Sequence, residues 1–393
     1  RRPAIDFPCG ESIETFSPVP GEGSYMPTAL LVSNRRPDEP GGRPEKIATR
    51  IRLFDDRGWD VRILYVGPPY GRSFLPGIVR GISAAREPSV VLSINNPFHL
   101  HLVGAAIRLT VGTPWVAELR DPIVNHPDRN EGGIPFYLAS IVERIVVRYA
   151  DRVVWLDGIQ LPDDYFERNY PDAAHEHFHK LPFMGFERKR FDDITVEDRD
   201  LFTIVYAGSF YEGWIEPIEF LEGLALYVEG SATGEPPSIR VDFYGDWSEK
   251  YDSVVERLGI EDVVETHGFV DHDDVIAALK GSDFALYIGG NDPRNRLNVP
   301  SKIWDYLGSR TPILAIVDAD FRAAEFLDEH GFGLVVPPGD SESVAEAIEA
   351  VRSGEFHFNT DPGAVDQFSR ERHVAAYTDY LEQTLETIGS GTE

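Results

Sequence analysis

Lys302 is one of six lysines in the chain, and it stands in the segment Asn298-Val299-Pro300-Ser301-Lys302-Ile303-Trp304-Asp305. These residue types suit an anionic ligand. Pro300 fits the first position of a helix and Ser301 can cap it. The free N–H groups and the dipole of a helix start attract phosphate. Lys302 adds a full positive charge in the first turn, where the dipole disfavours a cation, so that charge serves a ligand better than it serves the helix. Asn298 leads into this start and joins Ser301 as a candidate ligand contact.

Other candidates lie in strand-to-helix loops. Tyr206-Ala207-Gly208-Ser209-Phe210-Tyr211-Glu212-Gly213-Trp214 has a glycine that permits close backbone approach, ahead of a helix start that can cradle phosphate. Gly208 and Gly213 have P-loop spacing, but Trp214 occupies the lysine position, which excludes an ordinary P-loop nucleotidase. No GxGxxG follows a strand, which argues against a dinucleotide dehydrogenase. His267-Gly268-Phe269-Val270 could let a nucleobase approach backbone groups, or it is a plain turn. Glu118-Leu119-Arg120-Asp121-Pro122 ends a buried strand; Arg120 and Asp121 suit substrate hydroxyls or a phosphate, or form an internal salt bridge that shapes the loop. Gly41-Gly42-Arg43-Pro44 is a mobile loop over a ligand or merely a turn. His175, His177 and His179 would share one face of an extended strand, read as solvated or structural and not as a metal site.

These loops need rigid elements to hold them, and the chain alternates strand-like and helical segments throughout. Thr28–Ser33, Val61–Val66, Ser89–Ile94, Pro114–Leu119 and Arg152–Leu156 read as buried strands, with helices such as Glu45–Asp56 and Phe136–Tyr149 between them. The charged stretch from Glu187 to Asp200 reads as a linker. The pattern then restarts with strands at Leu201–Tyr206, Ile239–Tyr244, Val263–Thr266, Phe284–Ile288, Pro312–Val317 and Leu334–Val336. Helices are expected at Pro217–Val228, Asp273–Lys280, Ser341–Val351 and Ser369–Ile388. The fold class is therefore α/β, with two Rossmann-like, doubly wound parallel-sheet domains, residues 1–186 and 187–368, facing a cleft.

Composition narrows the setting. With 42% hydrophobic residues the 393-residue chain can bury real cores. No apolar run approaches the ~18–20 residues of a membrane span. The opening Arg1-Arg2-Pro3-Ala4-Ile5-Asp6 lacks the apolar region of a signal peptide. A single cysteine, Cys9, excludes an internal disulfide and fits a reducing cytoplasm. Asp and Glu number 66 against 37 Lys and Arg, for a formal charge of −29. Such a surface repels nucleic acid and anionic lipid at ordinary salt. Spread along the chain and nearly free of lysine, the charge reads as adaptation to molar salt, as in a halophilic cell.

Taken together in order and spacing, the motifs resemble the GT-B glycosyltransferases, in the large family 4, over nearly the whole chain. Pro300-Ser301-Lys302, Asp305-Tyr306-Leu307 and Thr311-Pro312-Ile313-Leu314-Ala315 are similar to that family's donor-binding helix and next strand. Gly331–Asp340 followed by Val344–Ile348 resembles its next strand, loop and helix. Arg120-Asp121-Pro122, Glu143 and Tyr149–Val154 resemble the acceptor domain of its polysaccharide-building branch. The resemblance implies transfer of a sugar from a nucleoside-diphosphate sugar to a glycan, lipid-linked or protein-linked hydroxyl, with retained anomeric configuration. It implies no metal or other cofactor. Lys302, Ser301 and the Gly208-Ser209 amides would face the diphosphate, Gly268, Phe269 and Val270 the base, Asp305 the ribose, and Arg120 and Asp121 the acceptor, with Asn298 a further donor-binding residue. It also implies a last helix, 369–393, packing back on the first domain. The enzyme would work in the cytoplasm, with peripheral membrane contact where the acceptor is lipid-linked.

Two positions depart from the family pattern. Leu297 stands where many members carry an acid, eight residues before Asp305, and Trp214-Ile215-Glu216 supplies no cation to the Gly208 loop. Arg294 or Arg296 is the candidate substitute. Two other functions stay open on these residues. A nucleotide-sugar epimerase would need acid–base carboxylates or histidines beside the sugar. A non-catalytic subunit would bind a nucleotide sugar or a partner enzyme without turnover.

Overall fold

The computed structural model describes residues 14–16, 26–39, 42–68, 74–95, 97–124, 126, 132–196, 201–230, 238–359 and 361–390. Cys9 and Gly41 lie outside them. The chain divides into two compact units, one of Arg1–Phe183 with Glu371–Glu393 and one of Met184–Arg370. The expected division falls three residues later, at 186/187.

The first unit runs β1 (Glu14–Phe16), β2 (Thr28–Ser33), α1 (Gly42–Asp56), β3 (Asp60–Tyr65), α2 (Phe74–Ala84), β4 (Val90–Ile94), α3 (Leu100–Val111), β5 (Trp115–Leu119), α4 (Ile134–Tyr149), β6 (Arg152–Leu156), α5 (Tyr165–Asn169) and β7 (Phe178–Leu181). The sheet order is β1-β3-β2-β4-β5-β6-β7. Its inner strands are short continuous apolar runs, because helices cover both faces of a parallel sheet and leave no side for polar residues to take. Trp59, Trp115 and Phe54 are among its largest fully buried side chains. Right-handed crossovers put α1 on one face and α2, α3 and α4 on the other, where α3 packs against both neighbours.

The second unit runs α6 (Arg188–Asp193), β8 (Phe202–Gly208), α7 (Ile218–Gly230), β9 (Ile239–Gly245), α8 (Glu249–Leu258), β10 (Val264–Gly268), α9 (His272–Lys280), β11 (Phe284–Gly290), α10 (Ser301–Gly308), β12 (Ile313–Val317), α11 (Arg322–His330), β13 (Gly333–Val336), α12 (Ser341–Ser353) and α13 (Pro362–Asp366). Its six parallel strands lie in the order β10-β9-β8-β11-β12-β13. The strand order reverses between β8 and β11, so the carboxyl ends of these two strands and β9 form the crevice where open α/β sheets hold ligands.

The last helix, α14 (Arg370–Ser390), packs on the first unit. Tyr377 meets Phe54 edge-on, Trp59 bonds Glu382 and Arg57 bonds Asp379.

Three expectations need correction. The sheet of the first unit is not wholly parallel, since the short β1 pairs antiparallel with β3. The stretch after Glu187 is not irregular throughout: Arg188–Asp193 forms a helical turn braced by the Lys189–Asp193 pair at i,i+4 spacing, and residues 197–200 lie outside the described residues. His175 and His177 do not sit on a strand with His179. His175–His177 is a 3₁₀ turn, and only His179 enters β7, stacked on Tyr380 at 4.0 Å.

Candidate anion site at the carboxyl ends of the second sheet

α10 begins at Ser301, and Pro300 occupies the cap position with extended backbone at φ −70° and ψ 152°. This reverses the expected roles of the two residues. Pro300 cannot donate and offers no side-chain oxygen, so no side chain caps the first turn. The Ile303 N–H is taken by the Pro300 carbonyl at 3.0 Å, and the Ser301 and Lys302 N–H groups carry no side-chain cap.

Lys302 turns from this helix toward β8. Its amine donates to the Tyr206 hydroxyl at 2.8 Å and lies 4.3 Å from the centre of the same ring. The Tyr206 hydroxyl in turn donates to the Ser209 carbonyl at 3.0 Å. Tyr206 is fully buried, and its ring stacks on Phe210. Among the described residues no carboxylate pairs with Lys302. Burial without a counter-charge lowers its pKa to about 7. An anion placed there would restore the full charge.

Two glycines make room for it. Gly208 and Gly245 end the paired strands β8 and β9 side by side, with φ of +144° and +113°. A side chain on Gly208 would come within 2.8 Å of the Lys302 amine, and one on Gly245 within 2.2 Å of the Gly208 carbonyl. The backbone of the Gly208-Ser209 turn is thereby kept bare beside the ammonium.

Asp305, one turn further along α10, points at His272, with Oδ2 3.3 Å from Nε2. His272 opens α9 directly after the Gly268–Asp271 loop, so the two candidates Asp305 and Gly268 belong to one neighbourhood. Gly268 takes φ +65°, Phe269 is 80% exposed and Val270 is also exposed. Asn298 is half-buried and donates to Asn295, which is anchored to Tyr287 and the Gly289 carbonyl. The Arg294 guanidinium lies 4.4 Å over the Trp214 ring and grips Asp292, whose carboxyl it holds down at about 2. Arg296 is exposed. A cavity of about 440 Å³ opens beside Trp214, Glu216, Glu219, Gly290 and Asn291. Lys302 does not line it.

In the first unit, Arg120 is committed on one side. Its Nε donates to Glu118 at 3.0 Å, and Arg50 grips the same carboxylate with two bonds of 2.6 and 2.8 Å. Burial pushes the Glu118 carboxyl up, but Arg50 and then Arg120 overcome this and hold it well below the usual carboxylate range. Asn95 accepts from the Arg120 and Asp121 amides and fixes the turn that Pro122 follows. Arg120 is thus a structural ion-pair member that keeps some exposure, and Asp121 sits beside it.

One carboxylate–histidine cluster is present among the described residues, Asp242, Glu265 and His267. Arg240 bridges Asp242 and Glu265 at 2.6 and 2.8 Å, so a cation already occupies the space between them.

Sequence reading passed over Gly245, His272 and Arg50, and gave no role to Tyr206 and Glu118 within the segments it singled out. Gly245 had a signal, a glycine at the end of the strand next to that of Gly208. For the others the partners lie up to 96 residues away, as Lys302 does from Tyr206.

No protein-family model matches the chain, and no curated protein sequence does. Solved structures do. HepE from Anabaena, crystallised with UDP, aligns over 91% of this chain and 100% of its own, with a TM-score of 0.65 at 16% identity. Sucrose-phosphate synthase from Thermosynechococcus elongatus aligns over 92% and 100%, at 0.63 and 14%. The lipopolysaccharide outer core galactosyltransferase WaaB aligns over 91% and 99%, at 0.59 and 14%. At these identities the likeness shows the fold: two Rossmann-like domains of the GT-B type.

Proposed function

We propose that this protein is a glycosyltransferase that binds a nucleoside-diphosphate sugar in its second unit and passes the sugar to a hydroxyl acceptor. The observation that carries this reading is Lys302: a desolvated amine with no carboxylate partner among the described residues, at an uncapped helix start beside a bare glycine turn. That arrangement is costly unless a polyanion completes it. The fold shared with HepE, whose structure holds UDP, supports a nucleotide as that polyanion.

The chemical demand is to stabilise negative charge on the departing diphosphate. Lys302, the first-turn amides of α10 and the Gly208-Ser209 backbone would supply it as fixed dipoles and charge, which need no reorganisation when the bond breaks. Asp305 would accept from ribose hydroxyls once His272 yields, and the Gly268–Val270 loop would meet the base. The acceptor would be a glycan, lipid-linked or protein-linked, with Arg120 and Asp121 on its side. We assign retention of configuration and independence of metal to the same reading, in a cytoplasm of high salt.

The test is thermal melting in molar KCl with UDP, GDP, ADP and their sugars, on wild type and Lys302→Ala. A nucleoside diphosphate should raise the wild-type melting temperature and not that of the variant. No shift with any nucleotide would sink the reading. A shift without sugar release or transfer would move it to a non-catalytic nucleotide-sugar-binding subunit.

A further inference from the structure

We infer that the cavity beside Trp214 is a separate ligand site in the second unit, built for an uncharged saccharide unit and distinct from the anion site at Lys302. The inference rests on what lines the cavity, and it holds whether or not a nucleotide binds at Lys302. The crossovers set the two sites apart. The step from β8 to β9 puts α7 on one face of the sheet, where α12 packs against it. The step from β11 to β12 runs the other way and puts α10, which carries Lys302, on the opposite face. The cavity, about 440 Å³, opens where α7 and α12 begin, over the ends of β11 and β12. That is room for a small ligand.

Local geometry holds its walls. Tyr211 and Ile215 exchange two backbone bonds, of 2.8 and 2.9 Å, around Gly213 at φ +83°, so Trp214 sits on a closed turn. This turn lies against the end of β11. A side chain on Gly290 would come within 2.8 Å of the Trp214 carbonyl oxygen, so glycine is what lets the two meet. The Arg294 guanidinium covers the Trp214 ring, and the Tyr211 ring leans on it at 5.2 Å. Buried Ile288, Ile316 and Phe220 supply apolar wall.

Charge decides the ligand. Three carboxylates line the cavity, Glu216, Glu219 and Glu222, and each is already engaged. Lys250 meets Glu216 at 2.5 Å and holds its carboxyl below the usual range. Glu219 accepts from the Gly339 and Asp340 amides at 2.6 and 3.1 Å. Arg257 lies 3.8 Å from Glu222, which also accepts from the Ser341 hydroxyl at 3.4 Å. An anion finds no site here. The amides at the start of α12 that would hold it are taken by Glu219 and by the Asp340 cap. A cation gains little, since Lys250 and Arg257 already answer two of the carboxylates. What remains is a set of fixed acceptors. The Trp214 indole N–H and the Asn291 side-chain amide, neither bonded to a protein group among the described residues, add donors. Hydroxyls donate and accept at once, and suit such a mixture. An uncharged sugar presents hydroxyls at its rim and C–H faces to the apolar wall, and Trp214 combines an apolar body with a polar tip.

The experiment is saturation-transfer NMR on the purified chain in molar KCl. Glucose, galactose and N-acetylglucosamine are the uncharged probes, glucuronate the anion and glucosamine the cation. At least one uncharged probe should bind, and the charged probes should bind about tenfold more weakly or not at all. Trp214→Ala and Asn291→Ala should each lower affinity about tenfold, the scale of one lost hydrogen bond. Asn291 is exposed, so Asn291→Ala should keep the wild-type melting temperature, which separates lost binding from lost folding. Saturating UDP, GDP or ADP should leave sugar binding to wild type unchanged. A probe that a nucleotide displaces, or that Lys302→Ala no longer binds, would place the sugar in the anion site and overturn the inference. Failure of every uncharged probe to bind, equal binding of charged and uncharged probes, or wild-type affinity in both cavity variants would overturn it as well.

Discussion

The Gly208 α-carbon and the Lys302 amine are so close that a single methyl on Gly208 would sit 2.8 Å from the nitrogen. The amine is thus held against bare backbone, and that close approach depends on glycine.

Gly208→Ala and Gly245→Ala should each damage this arrangement, for different reasons. On Gly208 the methyl displaces a flexible amine; on Gly245 it strikes the Gly208 carbonyl, which cannot move without breaking strand pairing. Both positions also have positive φ, a conformation that costs a substituted residue about 1–3 kcal/mol. Thermal melting should show the larger loss for Gly245→Ala, and nucleotide titration should show weakened binding for both. A Gly245→Ala protein that melts and binds like wild type would contradict the packing.

Lys302→Met should stabilise the unliganded protein while abolishing nucleotide binding. The Lys302 pKa falls from 10.5 to about 7 on folding, so protons favour the unfolded chain. The penalty is full below pH 7, shrinks between 7 and 10.5, and vanishes above. The side chain keeps some access to water, which limits the gain to about 1–2 kcal/mol. Melting curves at pH 6.5 and pH 10 should differ accordingly, with the variant's advantage present only at the lower value.

Nucleoside diphosphate affinity should fall on the alkaline side. A bound diphosphate raises the Lys302 pKa from about 7, so binding takes up a proton above that value. Affinity should be insensitive to this group below pH 7 and approach a tenfold loss per unit above it. The diphosphate's own last ionisation, near pH ~6, lies below that window. Calorimetry at pH 8 in buffers of different ionisation enthalpy measures the uptake directly. Equal heats in all buffers would show that Lys302 does not titrate.

Glu118→Gln should destabilise the first unit by about 3–5 kcal/mol, because it leaves two guanidiniums facing a buried site without their carboxylate. The folded pKa of Glu118 is depressed, so its contribution is present above the ordinary carboxylate range and is lost as pH falls through the folded value. The difference from wild type should be largest at pH 7 and narrow in acid. A constant difference at all pH values would mean that packing and not charge is responsible.

Arg294→Ala together with Arg296→Ala tests whether the loop beside Trp214 supplies the second phosphate cation. Loss of one such group costs about 2–4 kcal/mol of transition-state stabilisation. Turnover should drop sharply for the pair, and Arg294→Ala alone should carry most of it, since Arg294 is the one placed over Trp214. Unchanged turnover would remove both from the mechanism.

Much of the fold was written locally. Continuous apolar runs such as Thr28–Ser33 and Ile313–Val317 require burial on both faces, and their alternation with helices requires crossovers, so the sequence alone determined two parallel α/β sheets. It also determined the helix start at Pro300-Ser301 and the oddity of a lysine there. Short-range signals failed where context was needed: the three-residue β1 gains its strand character only from pairing with β3, and the histidine run takes a 3₁₀ turn that its own residues do not demand. The tertiary structure alone decided what each charge does. By sequence Arg120 is a cation at a strand end and Lys302 one in the first turn of a helix, but Glu118 and Asn95 bind Arg120 inward while Lys302, among the described residues, meets the hydroxyl and ring of Tyr206. Whether Glu118 and Arg120 are satisfied depends also on Arg50 and Asn95, 68 and 25 residues distant, and the surroundings of Lys302 on Tyr206, 96 residues distant; no spacing along the chain encodes those approaches.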